Sequence, residues 1–148
     1  MLNKKSSLLL DFFCVKIYLD DRRLLMKIWK CMGCGNIVVV LKEGTCVPNC
    51  CGREMIELKA NTEDAAVEKH VPVVDINNEV VTVTCGEVLH PMEEKHYIEF
   101  MVLETNKGVN IHYLKPGDEP VTKFILSDGE EVIAAYAYCN LHGLWKNK

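Results

Sequence analysis

From about residue 70 onward, short apolar runs alternate with turn residues at a spacing too tight for long helices. The runs are Val71–Ile76, Val80–Thr84, Tyr97–Leu103, Val109–Leu114, Val121–Leu126 and Val132–Tyr138, all rich in β-branched and aromatic residues. Asn77-Asn78, Asn106-Lys107-Gly108, Pro116-Gly117-Asp118 and Ser127-Asp128-Gly129 separate them, as turn clusters separate the strands of hairpins. About six or seven strands without a long helix predict a mainly β chain ending in an antiparallel sandwich of roughly 85 residues.

The segment before it, Met26 to Ala60, reads differently. Gly33, Gly35, Gly44, Pro48 and Gly52 punctuate it, leaving room only for short strands at Ile37–Leu41 and Met55–Leu58. About 35 residues of this kind bury too little apolar surface to fold unaided, so a metal or a partner must hold them. Asn61-Thr62-Glu63-Asp64 reads as a linker. The expected organisation is an extension at 1–25, a small metal-bearing knob at 26–61 and the sandwich at 62–148.

The first 25 residues place Lys4 and Lys5 before an apolar stretch, but Asp11 breaks that stretch and no small-residue cleavage site follows. They are expected to be a helical extension, or to precede a true start at Met26, and carry no part of the functional argument.

Composition narrows the class. Apolar residues make up 49% and charged residues 26% of 148, enough for a packed core and unlike a disordered chain. Lys and Arg number 17 against 21 acidic residues, and basic residues adjoin only at Lys4-Lys5 and Arg22-Arg23, which excludes a phosphate-backbone partner. No apolar run approaches the roughly 20 residues of a membrane span.

Eight cysteines is a high count for this length, and their spacing decides their meaning. Cys31, Cys34, Cys50 and Cys51 crowd one short segment, whereas a secreted disulfide scaffold spreads its pairs across the fold. A metal site in a reducing cytoplasm is the better reading. Cys31-Met32-Gly33-Cys34 is a knuckle that can point two thiolates at one ion. Contiguous Cys50 and Cys51 are unusual, because zinc ribbons and rubredoxins present a second C-x-x-C, and neighbours on an extended backbone point apart. Spacing alone leaves zinc and iron equally open. Cys46, four residues before Cys50, could substitute as a ligand but reads as a free, partly buried thiol; Cys14 and Cys85 read as free thiols.

A second set of donors lies in the sandwich. His70 precedes a strand, His90 and His96 flank a turn, and His142 follows Cys139 by three residues. A lone strand histidine is usually a packed or surface residue; a group with a thiolate points to iron, copper or zinc. Blue copper fits poorly, since no methionine follows His142 and the histidines exceed its need.

The segments KCMGCG (30–35), NCCG (49–52), EKHVP (68–72), GEVLHPMEEKHYIEF (86–100), KPGDEP (115–120) and AYCNLHGLW (137–145), in this order, closely resemble desulfoferrodoxin, the two-iron class of superoxide reductase. The resemblance covers about 26–148. It implies a desulforedoxin-like, rubredoxin-like knob carrying Fe(Cys)4 on Cys31, Cys34, Cys50 and Cys51. It implies an immunoglobulin-like sandwich carrying a second iron on His70, His90, His96, His142 and Cys139, with one coordination position open. His112 matches no ligand position, and Trp145 is expected to pack near the Cys139 loop.

The activity so implied is one-electron reduction of superoxide to hydrogen peroxide, for oxygen detoxification in an anaerobe or microaerophile. Lys69 matches a lysine that lies beside the open position and attracts the anion, and Glu68 a glutamate that can fill that position in the ferric state. The resemblance further implies a cytoplasmic homodimer and a small electron donor such as rubredoxin. A non-catalytic iron electron carrier and a zinc-ribbon interaction module are the competing classes.

Overall fold

The computed structural model describes residues 26–148. The extension 1–25, with Cys14, lies outside the described residues. Five short strands come first: β1 (Lys27–Lys30), β2 (Ile37–Val40), β3 (Asn49–Cys50), β4 (Arg53–Glu54) and β5 (Ile56–Glu57). They form a three-stranded antiparallel sheet in the order β2-β1-β5 and a separate β3-β4 hairpin. A single helical turn, α1 (Val67–His70), then leads into seven strands: β6 (Pro72–Asn77), β7 (Val80–Cys85), β8 (Ile98–Thr105), β9 (Val109–Tyr113), β10 (Val121–Ile125), β11 (Val132–Cys139) and β12 (Gly143–Lys146). Antiparallel pairing gives two sheets, β10-β7-β6 and β12-β11-β8-β9.

The six runs expected for the sandwich appear as β6 to β11 with ends shifted by one or two residues. Five elements lack a counterpart in the sequence reading: β1, β3, β4, α1 and β12. Strands β1 and β12 are too short and too charged at their ends to show a period, and α1 places His70 on a helical turn where the reading had only a strand approach. The strand expected over Met55–Leu58 contracts to Ile56–Glu57, because Met55 bonds back to Pro48 outside the sheet.

The core lies between the two sheets. On β7, Val81, Val83 and Cys85 alternate inward, meeting Ile98, Met101 and Leu103 of β8, Phe124 of β10 and Ala135, Ala137 and Cys139 of β11. Period-2 alternation is what a half-buried strand requires. Strand β11 breaks that rule: every residue from Ala134 to Cys139 is buried. Its other face, with Tyr136 and Tyr138, packs under the amino-terminal sheet, where Ile28, Ile37, Val39 and Leu58 join Val102 and Leu144. A strand covered on both faces reads as a continuous apolar run, as β11 does.

That packing answers how the amino-terminal segment is held. Ile28, Cys31 and Met55 are its buried apolar residues, and it borrows the rest of its core from the outer face of β8 and β11.

Candidate metal centres

The loop between β1 and β2 holds Cys31 and Cys34, and the β3-β4 hairpin holds Cys50 and Cys51. Cys50 pairs with Arg53, so Cys51 and Gly52 form a two-residue connection, with φ of 53° and 72° respectively. Two positive φ angles in such a loop mark the mirror-image turn that matches strand twist. This corrects the expectation that contiguous cysteines diverge along an extended backbone: the left-handed turn at Cys51 folds both sulfurs toward the knuckle. Cys34 and Cys50 Sγ lie 3.6 Å apart, and Cys50 and Cys51 Sγ 3.9 Å. A tetrahedron with metal–sulfur bonds of about 2.3 Å has edges of about 3.8 Å.

Cys31 and Cys51 depart from the ordinary thiol value in opposite directions. Backbone N–H groups of Cys34 and Gly33 lower Cys31 to about 6, while hydrogen bonding with Cys34 and Cys50 pushes Cys51 up to about 12. One thiolate forms readily and opposes the next, which is the behaviour of a donor set built around a cation. Cys46 stands outside this group, as expected, but is exposed rather than partly buried.

The second group gathers His70, His90, His96, Cys139 and His142, whose donor atoms lie within 4.8 Å of one another. Neighbouring imidazoles are spaced evenly: ring centroids lie 4.7 Å apart for His70–His90, 4.6 Å for His90–His96, 4.9 Å for His96–His142 and 4.8 Å for His70–His142. His70 and His96 face each other across this square at 6.1 Å. Cys139 is fully buried at the end of β11, its Sγ 3.6 Å from His142 Nδ1.

Two of the rings are oriented by backbone carbonyls. His70 Nδ1 donates to the Ala66 carbonyl at 2.7 Å and His90 Nδ1 to the Pro91 carbonyl at 2.6 Å, leaving each Nε2 lone pair toward the centre. His90 Nε2 and His96 Nε2 are buried without a partner. Orphaned buried nitrogens demand an explanation, and a cation supplies one. His70 Nε2 and His142 Nδ1 lie 2.9 Å apart, close to the about 3.0 Å separating adjacent donors that are each about 2.1 Å from one ion. Burial lowers His70, His96 and His90, the last to about 4, so these imidazoles are neutral ligands at neutral pH. Burial also raises the Cys139 thiol, against the backbone N–H groups of His142 and Leu141.

Trp145 packs as expected, donating Nε1–H to the His142 carbonyl at 2.9 Å and stacking on His70 at 4.8 Å. His112 stands apart on β9, stacked on Phe124.

Glu68 and Lys69 are exposed on α1, immediately before the buried His70. After burial and the His142 charge, the Lys69 ammonium is among the influences that lower His96. Their backbone is gripped from below by the turn after β7. Val88 N–H donates to the Glu68 carbonyl at 3.0 Å, Gly86 N–H to Val71 at 3.2 Å, and the Cys85 thiol to His70 at 3.3 Å. Burial holds that thiol at about 12, so it remains a protonated donor and is free, as the sequence suggested. Gly86, at φ +85°, lets this turn close: a Cβ there would sit 2.4 Å from the Val88 oxygen and 2.6 Å from that of Lys69. Gly86→Ala is expected to destabilise the protein by about 2 kcal/mol or more, from the left-handed backbone and the contact together. Urea unfolding compared with an Ala substitution at the open Gly108 measures it. This cradle, and the role of Asn140 described below, were not found by sequence reasoning, because backbone partners leave no residue-type signal.

The family model described as desulfoferrodoxin matches residues 62–148, and that described as desulfoferrodoxin, N-terminal domain, matches residues 25–58. A desulfoferrodoxin homolog of Archaeoglobus fulgidus is 46% identical over 123 residues, covering 82% of this chain and 96% of its own length. A desulfoferrodoxin of Nitratidesulfovibrio vulgaris is 46% identical over 120 residues, covering 81% and 94%. Among solved structures, the superoxide reductase from Treponema pallidum aligns with a TM-score of 0.71 at 32% identity, covering 83% of this chain and 98% of its own. The chain belongs to the desulfoferrodoxin family.

Proposed function

We propose that the protein is a superoxide reductase, converting superoxide with one electron and two protons into hydrogen peroxide. The observation that carries this reading is the square of imidazoles with a buried thiol beside it, entered through a helical turn on which the exposed Lys69 immediately precedes His70. The cofactors are two iron ions per chain, one for the tetrathiolate set and one for the histidine-rich set. The ligands are Cys31, Cys34, Cys50 and Cys51 in the first and His70, His90, His96, His142 and Cys139 in the second. Their donor types suit iron, and the spacings above accept it.

When bound, the second iron supplies the reducing electron. The protein's own residues do the rest. The four imidazoles stand as evenly spaced neighbours, and the Cys139 sulfur comes from the core side, so substrate would approach from the solvent face. Lys69 attracts the anion there and orients a water toward it; local charge outweighs the chain's overall acidity within a Debye length of about 8–10 Å. Glu68, on the same turn, is the carboxylate able to cover the open position after turnover. Lys69→Ala is expected to slow superoxide capture about tenfold at low salt, the low end of what a focused charge contributes, with iron content unchanged. Pulse radiolysis across ionic strengths checks this, and a rate indifferent to both salt and substitution removes the steering role.

The domain assignment follows the same reading: a desulforedoxin-like unit at 26–61 and the catalytic sandwich at 62–148, supported by the separate family-model matches. We assign rubredoxin or a similar small protein as electron donor, and a cytoplasmic homodimer as the working form, on family grounds. No helix among the described residues is long and apolar enough to cross a membrane. Fast oxidation of the reduced protein by superoxide, with peroxide and no dioxygen as product, tests the activity. A protein that only shuttles electrons shows neither.

A further inference from the structure

Asn140 belongs to neither donor group, yet it ties the strand end carrying Cys139 to the loop carrying His96. Its Nδ2 donates to the Lys95 carbonyl at 3.0 Å, and its Oδ1 accepts from the Tyr97 N–H at 3.0 Å. Its own N–H donates to the Tyr97 carbonyl at 3.1 Å. The two side-chain bonds therefore land on the peptide groups immediately before and after His96.

Little else fixes that residue. His96 lies between β7 and β8, in a turn closed by reciprocal backbone bonds with Glu93, both 3.0 Å. The His70 and His90 rings are anchored through Nδ1 on backbone carbonyls, whereas no such bond holds the His96 ring among the described residues, and its Nε2 is buried without a partner. An unanchored ring takes its direction from its backbone, so whatever fixes residues 95–97 fixes the aim of the imidazole.

We propose that Asn140 is a positioning residue that sets the His96 imidazole relative to the Cys139 sulfur, acting through the backbone on both sides of His96. The proposal rests on the reading that His96 and Cys139 bind one iron. A carboxamide suits the task because one planar group offers a donor to the carbonyl before His96 and an acceptor to the N–H after it. Aspartate keeps the acceptor and turns the other oxygen against the Lys95 carbonyl; alanine offers neither.

The test uses the full-length, iron-loaded protein and compares Asn140→Ala and Asn140→Asp with the parent. Asn61→Ala serves as control, because Asn61 makes the same kind of clamp on Lys146 of β12, at 3.1 and 2.8 Å, and bonds to no donor residue. Iron transfer from the reduced protein to a ferrous chelator is timed, and the EPR rhombicity of the ferric histidine-ligated centre is recorded after reoxidation. Loss of orienting contacts around a ligand costs about 10–100-fold in metal affinity, and release from that centre should accelerate on this scale in Asn140→Ala. The EPR signal should shift, the tetrathiolate absorption should persist, and Asn140→Asp should fall between. If the alanine variant fails to fold, the aspartate variant is read in its place. Release and EPR unchanged from the parent would overturn the proposal, as would an equal change in Asn61→Ala, which marks a general effect of stability. A parent holding only the tetrathiolate iron would instead overturn the ligand reading beneath it.

Discussion

Cys139→Ser should remove peroxide formation, with the rate falling by at least about 100-fold, the scale on which even changes beyond the ligands act at metal centres. The reason lies in the position of the side chain. Cys139 ends β11 at a register shift against β8, fully buried, and approaches the histidines from the core side. A serine hydroxyl fits that space, but it stays protonated and is a poor donor to iron in surroundings that already oppose the thiolate by burial. The fold should survive, because the hydroxyl replaces a thiol of similar size with partners close by. The tetrathiolate absorption should be unchanged, since its four sulfurs come from residues 31–51 and share no side chain with the sandwich centre. Optical spectra with iron analysis read the first centre, and a superoxide-dependent peroxide assay reads the second. Loss of both signals together would defeat the assignment of independent sites.

The opposite experiment is Cys31→Ser, and its expected effect falls on folding. Cys31 is fully buried, unlike Cys34 and Cys51, and two backbone amides stabilise its thiolate. Removing one of four sulfurs releases the ion, and in zinc-finger peptides such an ion contributes roughly 10–16 kcal/mol to folding. Among residues 31–57 only Cys31 and Met55 are buried apolar side chains, too few to replace that contribution. Hydrogen-exchange protection should therefore collapse across β3, β4 and β5 while β6 to β12 remain protected. Strand β1 should retain part of its protection, because Ile28 packs under Tyr136 and Tyr138, and Lys30 Nζ donates to Tyr138 Oη at 2.8 Å. Uniform protection in the variant would mean that the hairpin folds without its ion.

Much of this architecture was legible in the sequence, and the exceptions share a cause. The six long strands were readable because β7 alternates and β11 is a continuous apolar run, patterns set by burial on one face or two. Strands β1 and β12 stayed hidden: Lys27–Lys30 and Gly143–Lys146 mix charge, glycine and tryptophan over four residues, too few to establish a period. The nine donor residues were readable because the chemistry needs particular side chains. Their support was not. Gly86, the Cys85 thiol and Asn140 act on main-chain groups, so nothing at the partner positions marks them. The Cys50-Cys51 pair was misjudged for a related reason, since a positive φ at a cysteine is not written in residue type.

The histidine-rich centre draws its donors from α1, from the loop between β7 and β8 and from the end of β11, with 72 residues separating His70 from His142. The tetrathiolate set, by contrast, is complete by residue 51. During synthesis the first ion can be captured while most of the sandwich is still unmade, but the second has no home until nearly the last strand emerges. Maturation is thereby ordered by topology, and a truncated chain can carry the colour of the first centre with none of the reactivity of the second.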